Sequence, residues 1–387
     1  MFTDYFFPEL GGIQDSVATV ARELGRRGHH VEIHAPRYGS RDYRRVGMEV
    51  GERDLGANVV IHRRLSVPFP SSTRQSRAAL PSALGWAGIG RARPDVIHVH
   101  SFFGTGLEAL AAGSAFGIPL IGTNHTTVAG FGPHIPLSVD RATAYVVWFY
   151  NRCDVVTAPS RSVFDELAGL TVPRHVISNP IDTALFTPAR AEEIAALRGE
   201  FGLTGPVITY AGRLGAEKNI EAIIHAFARL RERGVAAQLA IAGHGSYESD
   251  LRALISDYRL AACVKFLGTL AQDALARLLR ISDIFTLMST SETQSMVVLQ
   301  AMASGVPVVA AATRALPEFV GPATGVLVDP HDPAALAAAF GDLLAAPARR
   351  RALGAGGRAF AERHGIARVT DEWELLYRSL IHRRQAA

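Results

Sequence analysis

Only 2 cysteines occur among 387 residues. Cys153 and Cys263 lie far apart, without the close partners that a zinc site or a redox pair requires, so both read as buried thiols in a reducing compartment. Long apolar runs are missing as well. The stretch from Ala109 to Gly122 falls short of the roughly 20 residues of a membrane span and contains Gly and Pro. No basic-apolar-small leader opens the chain, and a cytoplasmic protein is expected. No Asp-x-Asp pair is present to hold a metal and a diphosphate. Walker spacing and a Gly-x-Ser-x-Gly elbow are absent too, which excludes the nucleotide and acyl-transfer chemistries those motifs carry. Acidic residues are scarce in one region: none occurs from Leu55 to Pro94, and between Arg22 and Arg93 there are 14 Arg against 6 Asp plus Glu. That imbalance suits an anionic partner or surface, or else the solvated face of an Arg-rich chain.

What is present is the balance of a soluble globular protein, with 48% apolar and 20% charged residues. The length exceeds what one core usually carries, so two domains are expected. Short apolar runs alternate with helical patterns at Val31 to Ala35, Val59 to His62, Val96 to Val99, Leu120 to Thr123 and Val155 to Ala158. A second series follows at Val207 to Ala211, Gln238 to Ala242, Val264 to Leu267, Ile284 to Met288 and Val308 to Ala310. Strands separated by helices predict right-handed crossovers and parallel sheets, hence two doubly wound α/β halves. The expected division is 1–185, 186–365 and a C-terminal helix, 366–387, that packs back on the first half. Ligands of open parallel sheets bind beyond the carboxyl ends of the strands, which predicts a cleft between the halves. The first strand has only Met1 to Tyr5 available, short for a central position.

Gly11-Gly12 precede a segment whose Val17, Val20, Ala21 and Leu24 are spaced as one face of a helix. The pair fits a phosphate held at a helix N-terminus, although a lone Gly-Gly more often marks a simple strand-to-helix turn. In YAGRLGAEKN, Arg213 and Lys218 leave the end of a strand towards a helix start near Asn219. Two cations there suit a diphosphate, the Arg bidentately and the Lys as a point charge. Glu292 falls on the loop after the Ile284 strand, ahead of a helix expected from about Gln294 to Gly305. There it can accept hydroxyl hydrogen bonds or cap the helix. Asn124 and His125 follow a strand of the first half, and His98 and His100 share one strand face. Each histidine is a candidate for either structural or catalytic work.

In this order, TDYFFPELGGIQ, HVHSFFG, NHTTVAGF, SNPID, AGRLGAEKN, TSETQSMVVLQAMASGVPVV and GVLVDPHDPAALAAAF resemble the retaining glycosyltransferases of family 4, over essentially the whole chain. The resemblance implies the GT-B fold: two facing Rossmann-like domains, an interdomain cleft and a C-terminal helix that crosses back. It implies that Arg213 and Lys218 bind the diphosphate, with Gly11 and Gly12 approaching the same phosphates. Glu292 would accept hydroxyls of the donor sugar beside amides of Thr293, Gln294, Ser295 and Met296. His125 would sit at the reaction centre with Asn124 nearby, while Phe266 and Leu267 of the Val264 to Gly268 segment would hold the base. On the acceptor side it points to His100, Phe102 and Phe103. Partners so implied are a nucleotide-sugar donor and a lipid or sugar acceptor, with no nucleic acid, no cofactor and no metal.

Two positions depart from the family pattern. Gln300 stands where a second Glu usually takes the ribose hydroxyls. An amide carbonyl still accepts, but without the charge that raises such a bond from about 1 to about 1.5–3 kcal/mol, so weaker nucleotide binding is expected. Ser295 stands where Gly is common. The SETQ stretch and its apolar helix are similar to the glycosyltransferases that make diacylglycerol glycolipids. Glucose from a UDP donor, passed to a lipid such as diacylglycerol at the inner membrane face, is therefore the leading expectation. The basic Arg22 to Arg93 region, with Phe69, Leu80, Leu84 and Trp86, would meet the anionic bilayer. Transfer to a soluble or polysaccharide acceptor, a sugar-nucleotide epimerase and a nonenzymatic binder on the same fold are the alternatives.

Overall fold

The predicted alternation is realised as parallel sheet in a computed structural model, which describes residues 1–9, 11–68, 77–80, 83–127 and 138–385. Phe69 lies outside the described residues, as do the side chains of Leu84 and Trp86. The chain divides into two units, Met1–Pro180 with Ile366–Ala387 and, between them, Ile181–Gly365.

The first unit carries β1 (Val31–Pro36), β2 (Val59–Arg64), β3 (Ser66–Pro68), β4 (Arg77–Ala79), β5 (Ile97–Val99), β6 (Leu120–Thr123), β7 (Val155–Ala158) and β8 (Arg174–Val176). β1 pairs with β2, and β5 to β8 pair in sequence, all in parallel, while β3 and β4 form a small antiparallel pair. The short opening segment joins these parts. Phe2 bridges His34 on one side and Val99 on the other. Its amide donates to the His98 carbonyl and its carbonyl accepts from the His100 amide, both at 2.8 Å. Met1 to Tyr5 is therefore not a strand but a single bridging residue. The chain leaves the sheet at Asp4, whose carboxylate is held by Ser101 and Thr105 instead.

The helix Gly12–Arg26 buries Val17, Val20, Ala21 and Leu24, the face its spacing predicts. Against it lies the helix Ile366–Gln385, which contributes Val369, Trp373, Leu376 and Leu380 to the same apolar cluster. Each large apolar side chain so buried contributes about 1.5–3 kcal/mol. Arg27 pins the contact, donating to Asp371 Oδ1 at 2.6 Å, Glu374 Oε2 at 3.2 Å and the Ala367 carbonyl at 2.8 Å.

The second unit holds β9 (Val207–Ala211), β10 (Gln238–Ala242), β11 (Val264–Gly268), β12 (Ile284–Leu287), β13 (Val308–Ala311) and β14 (Gly325–Val328). They form one parallel sheet in the order β11-β10-β9-β12-β13-β14. The four central strands, β10, β9, β12 and β13, are buried on both faces and are nearly continuous apolar runs, which is why they are legible in the sequence. No helix of the described residues is long and apolar enough to cross a membrane.

Candidate active site

In the second unit the strand order reverses between β9 and β12. Loops leaving the carboxyl ends of two such strands part in opposite directions and open a crevice where ligands of doubly wound sheets bind. Lys218 leaves β9 and Glu292 leaves β12, and the two meet there, Lys218 Nζ lying 2.5 Å from Glu292 Oε1. Both side chains are largely buried, at 18% and 11% exposure. Lys218 ends a single 3-10 turn, Ala216–Lys218, followed by Asn219 in the left-handed conformation at φ 49°. Asn tolerates that conformation, and its amide donates to the Pro330 carbonyl at 2.9 Å, which fixes where the lysine starts.

Arg213 shares the loop but pairs with another carboxylate, Glu217 Oε1 at 2.6 Å. Its backbone carbonyl is held by the buried Tyr210 hydroxyl at 2.8 Å. The loop after β10 closes over the one after β9. Gly243 packs so tightly that an added Cβ would stand 1.8 Å from the Gly212 carbonyl oxygen.

The helix expected from about Gln294 runs from Met296 to Ala303, two residues later at its start. Ser295 is its N-cap, and its hydroxyl accepts from the Val298 amide at 3.4 Å. Met296 and Val297 are then the first amides, without intrahelical acceptors, behind the loop that carries Thr293 and Gln294. Gln300 is buried within this helix, and its Nε2 donates to Gln272 Oε1 at 3.1 Å.

Phe266 and Leu267 lie on β11, an edge strand. Ile241 pairs with Phe266 and Ala242 with Gly268, so the ladder skips Leu267. Such a bulge leaves backbone groups outside the sheet bonding. The Arg252 guanidinium lies 4.1 Å over the Phe266 ring.

In the first unit Gly11 is the N-cap of the helix Gly12–Arg26, and both glycines are exposed. His98 and His100 are buried on one face of β5 and its end, with ring centroids 3.9 Å apart. His98 is held by the Tyr377 hydroxyl at 2.8 Å and the Thr123 hydroxyl at 2.6 Å. His100 Nδ1 lies 3.0 Å from His125 Nε2. Burial holds His98 and His100 well below the usual imidazole range and lowers His125 to about 4, so all three are neutral near pH 7. His100 Nε2 is buried without a hydrogen-bond partner among the described residues. Asn124 is buried and its Oδ1 accepts from the Thr126 amide at 3.2 Å. The rings of Phe102 and Phe103 lie 4.6 Å apart, tilted by 53°, and the Tyr145 hydroxyl donates to the Phe102 carbonyl at 2.5 Å.

Sequence reasoning passed over Asp4, Glu217, Gln272 and Arg252. Asp4 accepts from Ser101 Oγ at 2.6 Å and from the Thr105 amide at 2.9 Å, tying the end of the opening segment to the helix that follows β5. Glu217 could have been found, since it stands four residues after Arg213. The other three depend on long-range contacts that no local spacing signals.

Comparison with known proteins identifies the class to which this chain belongs. Residues 10–185 match the model described as Glycosyltransferase Family 4, and residues 194–360 match that of Glycosyl transferases group 1. The chain is 29% identical over 322 residues to the alpha-monoglucosyldiacylglycerol synthase of Streptococcus pneumoniae, covering 80% of this chain and 70% of that one. It is 30% identical over 376 residues to the GDP-mannose-dependent alpha-(1-6)-phosphatidylinositol monomannoside mannosyltransferase of Mycolicibacterium smegmatis, covering 93% of both. The Anabaena protein Alr3699/HepE, solved with UDP and glucose, superposes with a TM-score of 0.77 over 98% of both chains at 19% identity. The fold is thus GT-B, and the protein is a glycosyltransferase. Within that class the chain belongs to glycosyltransferase family 4.

Proposed function

We propose that the chain moves a hexose from a nucleoside diphosphate sugar to a lipid acceptor, with retention of anomeric configuration and without a metal. The observation that carries this reading is the Lys218–Glu292 pair at the strand-order reversal of the second unit. It sets a cation and a carboxylate side by side where a sugar diphosphate needs a charge stabiliser and a hydroxyl acceptor. Lys218 exchanges its Glu292 partner for the diphosphate on binding and is joined there by Arg213. Glu292, relieved of the lysine, accepts the sugar hydroxyls, and the Met296 and Val297 amides add donors. The bulged backbone at Leu267 meets the base. Gly11 and Gly12 approach the phosphates, and neutral His125 hydrogen-bonds the sugar beside Asn124.

In the reaction the acceptor oxygen forms a bond to the anomeric carbon on the face the diphosphate leaves. The bond from that carbon to the diphosphate oxygen breaks, its electron pair stays on the phosphate, and a phosphate oxygen takes the acceptor's proton. Cations and oriented amides stabilise the developing charge, and such preorganised donors are worth several kcal/mol each. The acceptor side is assigned to His100, Phe102 and Phe103.

UDP-glucose and diacylglycerol are the substrates we favour, in line with the pneumococcal relative's name and the motif style of the Glu292 loop. The mannosyltransferase relative supports GDP-mannose as the second donor reading, with a lipid acceptor in both cases. Exposed Arg37, Arg41, Arg44 and Arg45 support docking of the first unit at an anionic membrane surface. The test is nucleoside diphosphate release from UDP-, GDP- and ADP-sugars, each with and without diacylglycerol in anionic vesicles. Release from one donor that rises with the lipid supports the reading, and lipid-independent transfer to a soluble sugar would replace it.

A further inference from the structure

We propose that Gln272 is a positioning residue that sets which end of the Gln300 amide meets the nucleotide. This rests on the reading that position 300 faces the ribose. Gln272 is the first residue of the helix Gln272–Arg280, which follows β11, and it is exposed. Gln300 lies on the helix that follows β12 and is only 6% exposed. Their side chains meet through Gln300 Nε2 and Gln272 Oε1 at 3.1 Å. Among the described residues Gln300 Oε1 makes no hydrogen bond, yet it is not sealed in the interior.

A primary amide is a donor at one end and an acceptor at the other, and a half-turn exchanges them. A carboxylate at position 300 would present acceptors either way round. Gln300 presents an acceptor to the ligand only while a neighbour takes its NH2 group. Gln272 does so through its own carbonyl, so the pair supplies by orientation what a carboxylate supplies by charge. Gln272 therefore has a required polarity, acceptor towards Gln300, and that polarity would invert if position 300 carried Glu.

The experiment measures binding of UDP and GDP, and of their 2′-deoxy and 3′-deoxy counterparts, by titration calorimetry. The readout is the ratio of ribo to deoxy affinity, which cancels the attraction of any new charge for the diphosphate. Gln272→Glu offers only acceptors, so the ratio stays within about twofold of wild type. Gln272→Lys offers only donors, turns the Gln300 carbonyl inward and lowers the ratio about fivefold, the worth of one neutral hydrogen bond. In a Gln300→Glu background the order reverses, with Gln272→Lys keeping the ratio and Gln272→Glu losing it. Thermal melting of each variant checks that it is folded before its ratio is compared. Equal ratios for Gln272→Glu and Gln272→Lys would overturn the proposal while leaving the donor reading intact. Wild type that binds neither nucleotide would overturn both.

Discussion

Lys218 Nζ stands 2.5 Å from Glu292 Oε1, and the two residues come from loops 74 positions apart that the sheet brings to one crevice. Each partner satisfies a charge that the other's loop would otherwise bury. Breaking a buried pair from one side costs about 3–5 kcal/mol because a charge is left unpaired, and partial exposure here puts the cost below that range. Glu292→Gln keeps a hydrogen-bond acceptor for Lys218 and should stay folded. Its transfer rate should fall at least about 100-fold, because an oriented charge is lost from the transition state. Lys218→Met should lose as much in kcat and also bind nucleoside diphosphate more weakly. Steady-state kinetics with the active donor decide this, and a Glu292→Gln variant within threefold of wild type would remove Glu292 from the site.

Acid should unfold the first unit before the second. His34, His98 and His100 are buried in the first unit, and His125 lies beside them. Burial lowers His34 to about 2 and His125 to about 4, and holds the other two well below their ordinary value near 6.5. Below that ordinary value the unfolded chain takes protons that the folded rings refuse. Stability is therefore present above about pH 6.5 and is lost as the pH falls towards 4, by up to about 1.4 kcal/mol per pH unit for each ring. The 3 tryptophans, Trp86, Trp148 and Trp373, all belong to the first unit, so their fluorescence reports on it alone. Urea midpoints by fluorescence should drop between pH 7 and pH 5, and less steeply in His100→Gln. A midpoint unchanged over that range would contradict the burial argument.

The helix Ile366–Gln385 belongs to the folding of the first unit, although it follows the whole of the second. Trp373 is 4% exposed, and its ring lies 4.6 Å from that of His98. Trp373→Ala should cost about 3–5 kcal/mol through lost contacts and the cavity left behind. Loss should appear in the urea transition of the first unit, read by the remaining tryptophans, while the second unit keeps its own transition. A shared loss of equal size would mean that the two units unfold as one.

Much of the second unit was legible because its central strands are buried on both faces. Val207–Ala211 and Gln238–Ala242 have the bounds that their apolar runs predict. Arg174–Val176 and Gly325–Val328 are short edge strands, the first polar and exposed and the second only four residues long and part-exposed, and neither stands out in the sequence. The opening segment reads as a strand because Met1 to Tyr5 is what lies ahead of the Gly11-Gly12 turn. Only the Asp4 carboxylate, drawn to Ser101, shows why pairing stops at Phe2. Lys218 and Glu292 could each be placed at a strand end from spacing. Their direct contact depends on strand order, which periodicity does not encode. The Gln272 contact to Gln300 joins two helices and leaves no local trace.

Ser295 tests how far a departure from the family pattern reaches. A glycine is required where the backbone is left-handed or a neighbour would strike Cβ, and Ser295 meets neither condition. Its backbone is extended, at φ −102° and ψ 105°, and its hydroxyl caps the helix through the Val298 amide. Ser295→Gly removes that cap, and Gly is itself a tolerated N-cap, so the cost should be only a few tenths of a kcal/mol. The melting temperature should move by no more than about 2 °C. The hydroxyl points back at the helix rather than at the open amides of Met296 and Val297, so nucleoside diphosphate affinity should stay within about twofold. A tenfold gain would mean that the serine side chain obstructs the ligand, and the weak nucleotide binding expected from Gln300 would then have its cause at Ser295 instead.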